Sequence, residues 1–401
     1  MISEHASPLA AVGGVDAGGQ NLHVAELAGT LARAGEEVVV YTRRDCPDLP
    51  PRVTSPAGFT VVHVPVGPAA PVGKDHLLPF MRPFGQWMAR DWRRRGWAPD
   101  VVHAHFWMSG VAAQYAVFGR PIATVITYHA LGTVKRRYQA DADSSPPERI
   151  GIERWLGQRM DRVVAQCADE VDELAAMGVP PERVSVVPSG VDVLRFSPVG
   201  PAASRRPGLA RVLTVGRLVA RKGYTDLIEA LARVPGTELV IAGGAPDGID
   251  ADPQARRLRE LAGRVGIADR VVLAGAVERA VMPDLYRSSD VLACTPWYEP
   301  FGLTPLEAMA CGVPVVVYAV GGLQDSVVHG QTGLHVPPGD VVGLAGALQR
   351  VLVDPELGRR FGDTGIHRAR TQYTWSATAD QLTAVYAQAI AEPAPAERVA
   401  S

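Results

Sequence analysis

Hydrophobic positions along this 401-residue chain gather into short valine-rich runs separated by longer amphipathic stretches. One series comprises EVVVYT (37–42), FTVVHV (59–64), DVVHAHF (100–106), IATVITYH (122–129), RVVAQC (162–167) and RVSVVP (183–188). A second comprises RVLTVG (211–216), ELVIAGG (238–244), RVVLAG (270–275), DVLACTP (290–296) and VPVVVYA (313–319). Continuous apolar strands alternating with helices belong to parallel sheets covered on both faces. The pattern therefore predicts an α/β protein built from two doubly wound domains.

Between the two series lies the Pro/Gly/Ser-rich SPVGPAASRRPG (197–208), which suits a linker and places the boundary near residue 205. The expected domains are 1–204 and 205–372. Residues 373–390 read as an amphipathic helix reaching back to the first domain, and 391–401, poor in bulky apolar residues, as a disordered tail. Open α/β sheets bind ligands outside the carboxyl ends of their strands. Two facing sheets would then put the site in the cleft between domains.

Composition narrows the classes. With 47% hydrophobic and 20% charged residues the chain can bury large cores. A net charge of −2 offers no basic face for duplex nucleic acid. Cys46, Cys167, Cys294 and Cys311 lack CxxC spacing, so neither a zinc site nor a disulfide framework is suggested. No run of 18 apolar residues occurs and MISEHASPLA lacks the order of a signal peptide, so a cytoplasmic protein without transmembrane segments is expected. A homodimer is left open. Only three of the 40 basic residues are lysines, namely Lys74, Lys135 and Lys222. Lysine and arginine are not interchangeable around phosphate, so these three are candidates for ligand work.

Chemistry concentrates in PWYEPFGLTPLE (296–307), with Glu299 and Glu307 flanking Gly302. Read locally, Thr304 is a helix N-cap, Pro305 the first helical residue and Glu307 the closing member of a capping box. Glu299, however, follows a strand, and Gly302 lets backbone amides approach a ligand. A carboxylate pair there suits sugar hydroxyls. In TVGRLVARKG (214–223), Arg217 and Lys222 stand at a strand's carboxyl edge, where phosphate binding is favoured over a solvated basic turn. VGGVDAGGQN (12–21), ahead of a helical pattern, cradles an anion or simply turns. GGLQD (321–325) is open to the same two readings. His129 ends a strand, as a structural hydrogen-bonder or a functional group. His103 and His105 are expected on opposite faces of theirs, which argues against a metal pair, and no DxD-type motif appears.

EPFGLTPLE resembles the Glu-x7-Glu signature of the retaining glycosyltransferases of family 4, which have the GT-B fold of two Rossmann-like domains. The resemblance covers nearly the whole chain. It implies that Glu307 holds the nucleotide ribose, that Glu299, Phe301, Gly302 and Leu303 bind the donor sugar, and that Arg217 and Lys222 neutralise the diphosphate. It further implies that Gly19 approaches the diphosphate and that His129 contacts the sugar near its 6-hydroxyl. The implied reaction transfers a hexosyl group from a nucleotide sugar, most simply a UDP-sugar, with retention. The departing phosphate oxygen helps deprotonate the acceptor, and the catalytic set is His129, Arg217, Lys222 and Glu299. No cofactor beyond the co-substrate and no metal is implied.

DAGGQN, HAHFWMSG and HALGTVKRRYQ look closest to the inositol-phosphate N-acetylglucosaminyltransferases of mycothiol synthesis and, more distantly, to sucrose-phosphate synthases. That likeness implies acceptor-binding roles for Asn21, Lys74 and Arg149. The sequence departs from it at Phe106, in place of a tyrosine, and Ala130, in place of a threonine. It also has only Met1-Ile2-Ser3 before Glu4, where members carry a full first strand. Each lost hydroxyl costs a phosphate about 1–3 kcal/mol of interaction, so the acceptor is expected to be a related cyclitol, aminocyclitol or sugar, phosphorylated or not. A non-catalytic nucleotide-sugar sensor would keep the same motifs. A dinucleotide-dependent oxidoreductase would need a compact GxGxxG, whose spacing VGGVDAGGQN lacks. Restoring both hydroxyls, Phe106→Tyr with Ala130→Thr, should raise turnover of inositol phosphate by the equivalent of about 1–3 kcal/mol per restored bond; unchanged turnover in a coupled nucleotide-release assay counts against this mapping.

Overall fold

The computed structural model describes residues 1–10, 18–244 and 248–394. These fall into two compact units: 1–10, 18–188 and 375–394 form the first, and 189–244 with 248–374 the second. Most of the loop at 12–21 and the end of the tail, 395–401, lie outside the described residues.

The first unit contains β1 (Val39–Arg43), β2 (Arg52–Thr54), β3 (Thr60–Val64), β4 (Val101–His105), β5 (Ala123–Thr127), β6 (Arg162–Ala165) and β7 (Val184–Val186). They pair as β1-β3-β2 and β4-β5-β6-β7, parallel except for the edge strand β2. The short start of the chain joins the two groups. Ile2 bridges Tyr41 on one side and Ala104 on the other, both in parallel. Ile2 N donates to His103 O and Ser3 N to Tyr41 O, while His105 N donates to Ile2 O and Arg43 N to Glu4 O. Four residues thus do the work of an interior strand, and Ile2 is fully buried in that place.

The second unit is a six-stranded, wholly parallel sheet of β8 (Ala210–Val215), β9 (Thr237–Ala242), β10 (Val271–Gly275), β11 (Val291–Cys294), β12 (Val315–Tyr318) and β13 (Gly333–Val336). The order is β10-β9-β8-β11-β12-β13. This is the doubly wound arrangement, and its order reverses between β8 and β11. Side chains of β9, β11 and β12 are buried along their whole length, as continuous apolar runs require of strands covered on both faces. Two strands carried no run in the sequence reading, β2 and β13, each four residues or fewer.

The units divide after Pro188 and after Thr374, against 204 and 372 from composition. Residues 189–204 pack on the second unit: Phe196 is fully buried with its ring edge toward Tyr286, Arg287 donates to Ser197 O and Pro201 O, and Ala203 N donates to Asp284 O. Val191 N also donates to Tyr373 O. The helix Trp375–Ala391 belongs to the first unit, where Trp375, Ala379, Leu382, Val385 and Ala389 are buried with Leu27, Val125 and Val164. Among the described residues no helix is long and apolar enough to cross a membrane.

The turn after β8 is held by close packing. Gly223 sits at φ +66°, and a Cβ there would lie 1.9 Å from Thr295 O. Gly223→Ala should therefore cost about 1–3 kcal/mol, seen as a lower urea midpoint for the second unit; an unchanged midpoint would show that the turn yields.

Candidate functional site

At the reversal point of the second sheet, two loops leave the carboxyl ends of neighbouring strands, where open α/β sheets bind their ligands. The first runs from Gly216 through Arg217 and the short 3-10 turn Ala220–Lys222 to Gly223, which opens the helix Tyr224–Leu231. The second follows β11 and carries Glu299. Lys222 Nζ lies 2.6 Å from Glu299 Oε2. Burial alone would raise the Glu299 carboxyl, but the Lys222 ammonium, the Arg221 guanidinium and the Phe301 amide hold it below its ordinary value. The loops are also joined by backbone: Trp297 N donates to Arg221 O, Thr295 Oγ1 donates to Gly223 O, and the Arg221 guanidinium stacks 5.3 Å from the Tyr298 ring.

The GGLQD turn packs on this loop. Gly322 N donates to Glu299 O, and Gly321, at φ +47°, comes so close that a Cβ would lie 2.3 Å from the same oxygen. The glycines here serve a close backbone approach that fixes Glu299 in place.

Glu307 corrects the local reading. The helix runs Leu303–Ala310 with Gly302, at φ +92°, at its cap position, so Thr304 is not the N-cap and Glu307 closes no capping box. The Glu307 carboxylate instead accepts from Arg279 Nη1 at 2.7 Å and from Tyr286 OH at 2.8 Å. It is almost fully buried, and a carboxylate in such a place needs charged or hydrogen-bonding partners. Burial and the Glu307 charge push the Tyr286 hydroxyl well above its usual pKa, which keeps it a donor. Sequence reasoning missed Arg279 and Tyr286. Their signal was weak, an arginine shortly after β10 and a tyrosine in the helix Met282–Arg287. Phe301 is buried, Leu303 opens the helix, and Arg217 begins the β8 turn, its carbonyl accepting from Tyr224 OH. Glu299, Lys222, Phe301, Gly302 and Glu307 therefore share one face of the second unit.

In the first unit, Gly19 opens the helix Gly19–Arg33. Asn21 is buried and engaged: its Oδ1 accepts from Gly18 N at 3.0 Å and its Nδ2 donates to Ser7 O at 2.9 Å. Phe106, Ala130 and Arg149 come together. Arg149 is 2% exposed and donates to Glu153 Oε1 (2.7 Å), Ser145 Oγ (3.1 Å) and Ala130 O (2.5 Å). Its guanidinium lies 5.1 Å from the Phe106 ring. Phe106 itself is held at φ +85°, uncommon for a residue with a side chain. The His5 ring meets its edge, and the Glu4 carboxylate binds both His5 Nδ1 and Ser109 Oγ, a cluster the sequence did not reveal. Lys74 begins the 3-10 turn Lys74–His76.

His129 is also held at positive φ, +60°, with Nε2 3.0 Å from His105 Nδ1. The expectation for His103 and His105 is overturned. Residues two apart on a strand return to the same face, and their rings lie 4.2 Å apart. His103 further contacts Tyr386 OH and Thr127 Oγ1, and the His23 ring sits 4.9 Å from His129 and 5.4 Å from Trp375. Burial pushes His23 down to about 4 and His103, His105 and His129 well below the usual histidine range. All four rings are neutral at neutral pH.

Comparison with known proteins bears on the fold and the family. Residues 17–195 match the family described as Glycosyltransferase Family 4, and residues 202–368 the one described as Glycosyl transferases group 1. The chain is 36% identical to a D-inositol 3-phosphate glycosyltransferase of Xylanimonas cellulosilytica, over 97% of this chain and 96% of that protein. It is 37% identical to the protein of the same name from Acidothermus cellulolyticus, over 100% of this chain and 93% of that one. The solved sucrose-phosphate synthase of Thermosynechococcus elongatus superposes with a TM-score of 0.88 at 32% identity, covering 97% of this chain and 98% of the other. With two parallel α/β units, a site at a strand-order reversal and relatives matched over nearly its full length, the chain belongs to the family 4 glycosyltransferases of the GT-B fold.

Proposed function

We propose that this glycosyltransferase moves a hexosyl group of the glucose or N-acetylglucosamine type from a UDP-sugar to a hydroxyl of a small cyclitol, aminocyclitol or sugar, with retention of configuration. The observation that carries the reading is the Lys222–Glu299 pair at the reversal point of the second sheet, beside the buried Glu307. The acid and the base are already matched across the two loops that a diphosphate and its sugar would span.

In this reading Glu307 accepts from the ribose hydroxyls, oriented by Arg279 and Tyr286. Glu299 and the Phe301, Gly302 and Leu303 backbone take the sugar, and His129 contacts it near the 6-hydroxyl. Arg217 and Lys222, with the amides near Gly19, face the diphosphate. As the bond from the anomeric carbon to the phosphate oxygen breaks, the acceptor oxygen bonds to that carbon on the same face. The acceptor proton passes to the departing phosphate oxygen. Negative charge grows on the diphosphate, and fixed cations aimed at developing charge are the largest lever such a site has. The reading assigns a metal no role in this step and places the enzyme in the cytoplasm.

For the acceptor, the relatives' printed names point to an inositol phosphate or a sugar phosphate. The departures at Phe106 and Ala130 favour a less anionic molecule here, since neither brings a side-chain hydroxyl to the cluster around Arg149.

Thermal-shift measurements with UDP-, GDP- and ADP-sugars, followed by mass spectrometry of products formed with cyclitol acceptors, test this directly. Stabilisation by a UDP-sugar and a hexosylated product are expected; stabilisation with no turnover on any acceptor would favour a sensor. Arg217→Ala and Lys222→Ala should each lower kcat by about 10²–10³, the usual cost of removing a group that stabilises transition-state charge; Arg217→Ala should change the urea midpoint far less, whereas Lys222→Ala, which leaves the Glu299 carboxylate unmatched, should lower it as well. Turnover near wild type in either variant removes that residue from the mechanism.

A further inference from the structure

The sequence reading of HAHFW as two diverging histidines removes any metal site; the observed geometry restores one, in a different combination. We propose that His23, His105 and His129 bind a divalent first-row transition ion of the imidazole-preferring kind, with Zn2+, Co2+ and Ni2+ as its natural occupants. Each of the three offers a ring nitrogen, and these nitrogens lie within 4.8 Å of one another. Two zinc–imidazole bonds of about 2.0–2.1 Å at a tetrahedral angle put their nitrogens about 3.3–3.4 Å apart. His105 Nδ1 and His129 Nε2, at 3.0 Å, already stand at nearly that separation. The widest gap in the set has to close by roughly 1.5 Å on the same geometry, within the swing of a histidine ring.

A second observation concerns how loosely the His105 ring is held. His105 is completely buried, yet among the described residues its Nε2 has no hydrogen-bond partner. A buried polar atom left unmatched is costly, so the His105 ring is not finally committed to its present partners. Moving the proton shared between His105 and His129 to the other nitrogen of its own ring bares both lone pairs without changing any charge. The neutrality that burial imposes on the three rings leaves them in the form that binds metal.

The surroundings fit the same role. The His129 ring donates a hydrogen bond to the Gln166 side chain, which supports it from behind as groups behind metal-bound histidines do. His103 and Trp375 wall the cluster. His129 alone of the three is partly exposed, which leaves a side for entry and for a water as fourth ligand. The donor set is all imidazole with no carboxylate, which selects zinc, nickel, cobalt or copper over magnesium or calcium. The three ligands lie in the first unit; because His129 is also the residue placed at the donor sugar, a bound ion would take its ring from that contact, and the test therefore reads metal binding and not turnover.

The test is metal binding itself. The full chain, free of any histidine tag and stripped with a chelator, is titrated with Co2+ followed by visible absorption and with Zn2+ followed by calorimetry. One ion per chain is expected, with X-ray absorption of the zinc complex showing three imidazole nitrogens at about 2.0–2.1 Å. His105→Gln and His23→Gln should each weaken binding at least tenfold, about the lower bound for losing even a group behind a ligand. A variant altered at His329 and His335, a separate pair in the second unit, should bind as wild type does. Absence of a stoichiometric ion, fewer than three imidazoles in the absorption spectrum, or loss of binding with the His329/His335 variant instead would overturn the assignment. The wild-type spectrum decides even if a substituted chain does not fold.

Discussion

Lys222 and Glu299 form the contact on which the candidate ligand face of the second unit depends. A carboxylate drawn partly out of water at a strand end is costly unless a cation meets it there. Meeting it forces the loop after β8 and the loop after β11 into one register. The remaining contacts follow from that constraint: the Gly223 turn pressed on Thr295 O, Arg221 stacked on Tyr298, and the Gly321-Gly322 turn laid against Glu299 O. Glu307 repeats the arrangement in the helix that follows, with Arg279 and Tyr286 as its partners. Each acid of the site is thus met by a cation before any ligand arrives, and side chains already held spend least on ordering when a ligand binds.

The first unit applies the same economy to a different end. Four residues at the start of the chain pair on both sides and make one sheet of two groups of strands, and the order of that sheet reverses beside them. Glu4, His5, Phe106 and Ser109 collect at this point. Polar groups there are matched to one another, Arg149 to Glu153 and Asn21 to Gly18 and Ser7.

How much of this was legible depended on range. All eleven valine-rich runs became strands, because period and apolarity are local properties. Arg52–Thr54 and Gly333–Val336 were missed because each is too short to show a period, and the former is a half-exposed edge. Thr304-Pro305-Leu306-Glu307 reads as a cap in isolation; only Arg279 and Tyr286, 28 and 21 residues away, show where the Glu307 carboxylate goes. The acids and bases of the second unit could be named from strand ends, since the fold puts every such end on one edge. The histidine cluster could not, since His23, His105 and His129 come from a helix and the ends of two strands, and their juxtaposition is a product of packing.

The measurement closest to the central claim is hydrogen exchange on the intact chain with and without saturating UDP. Binding through the paired acids and bases predicts slowed exchange confined to 216–223 and 299–307 in the second unit. Saturable UDP binding that leaves both segments unprotected would contradict it.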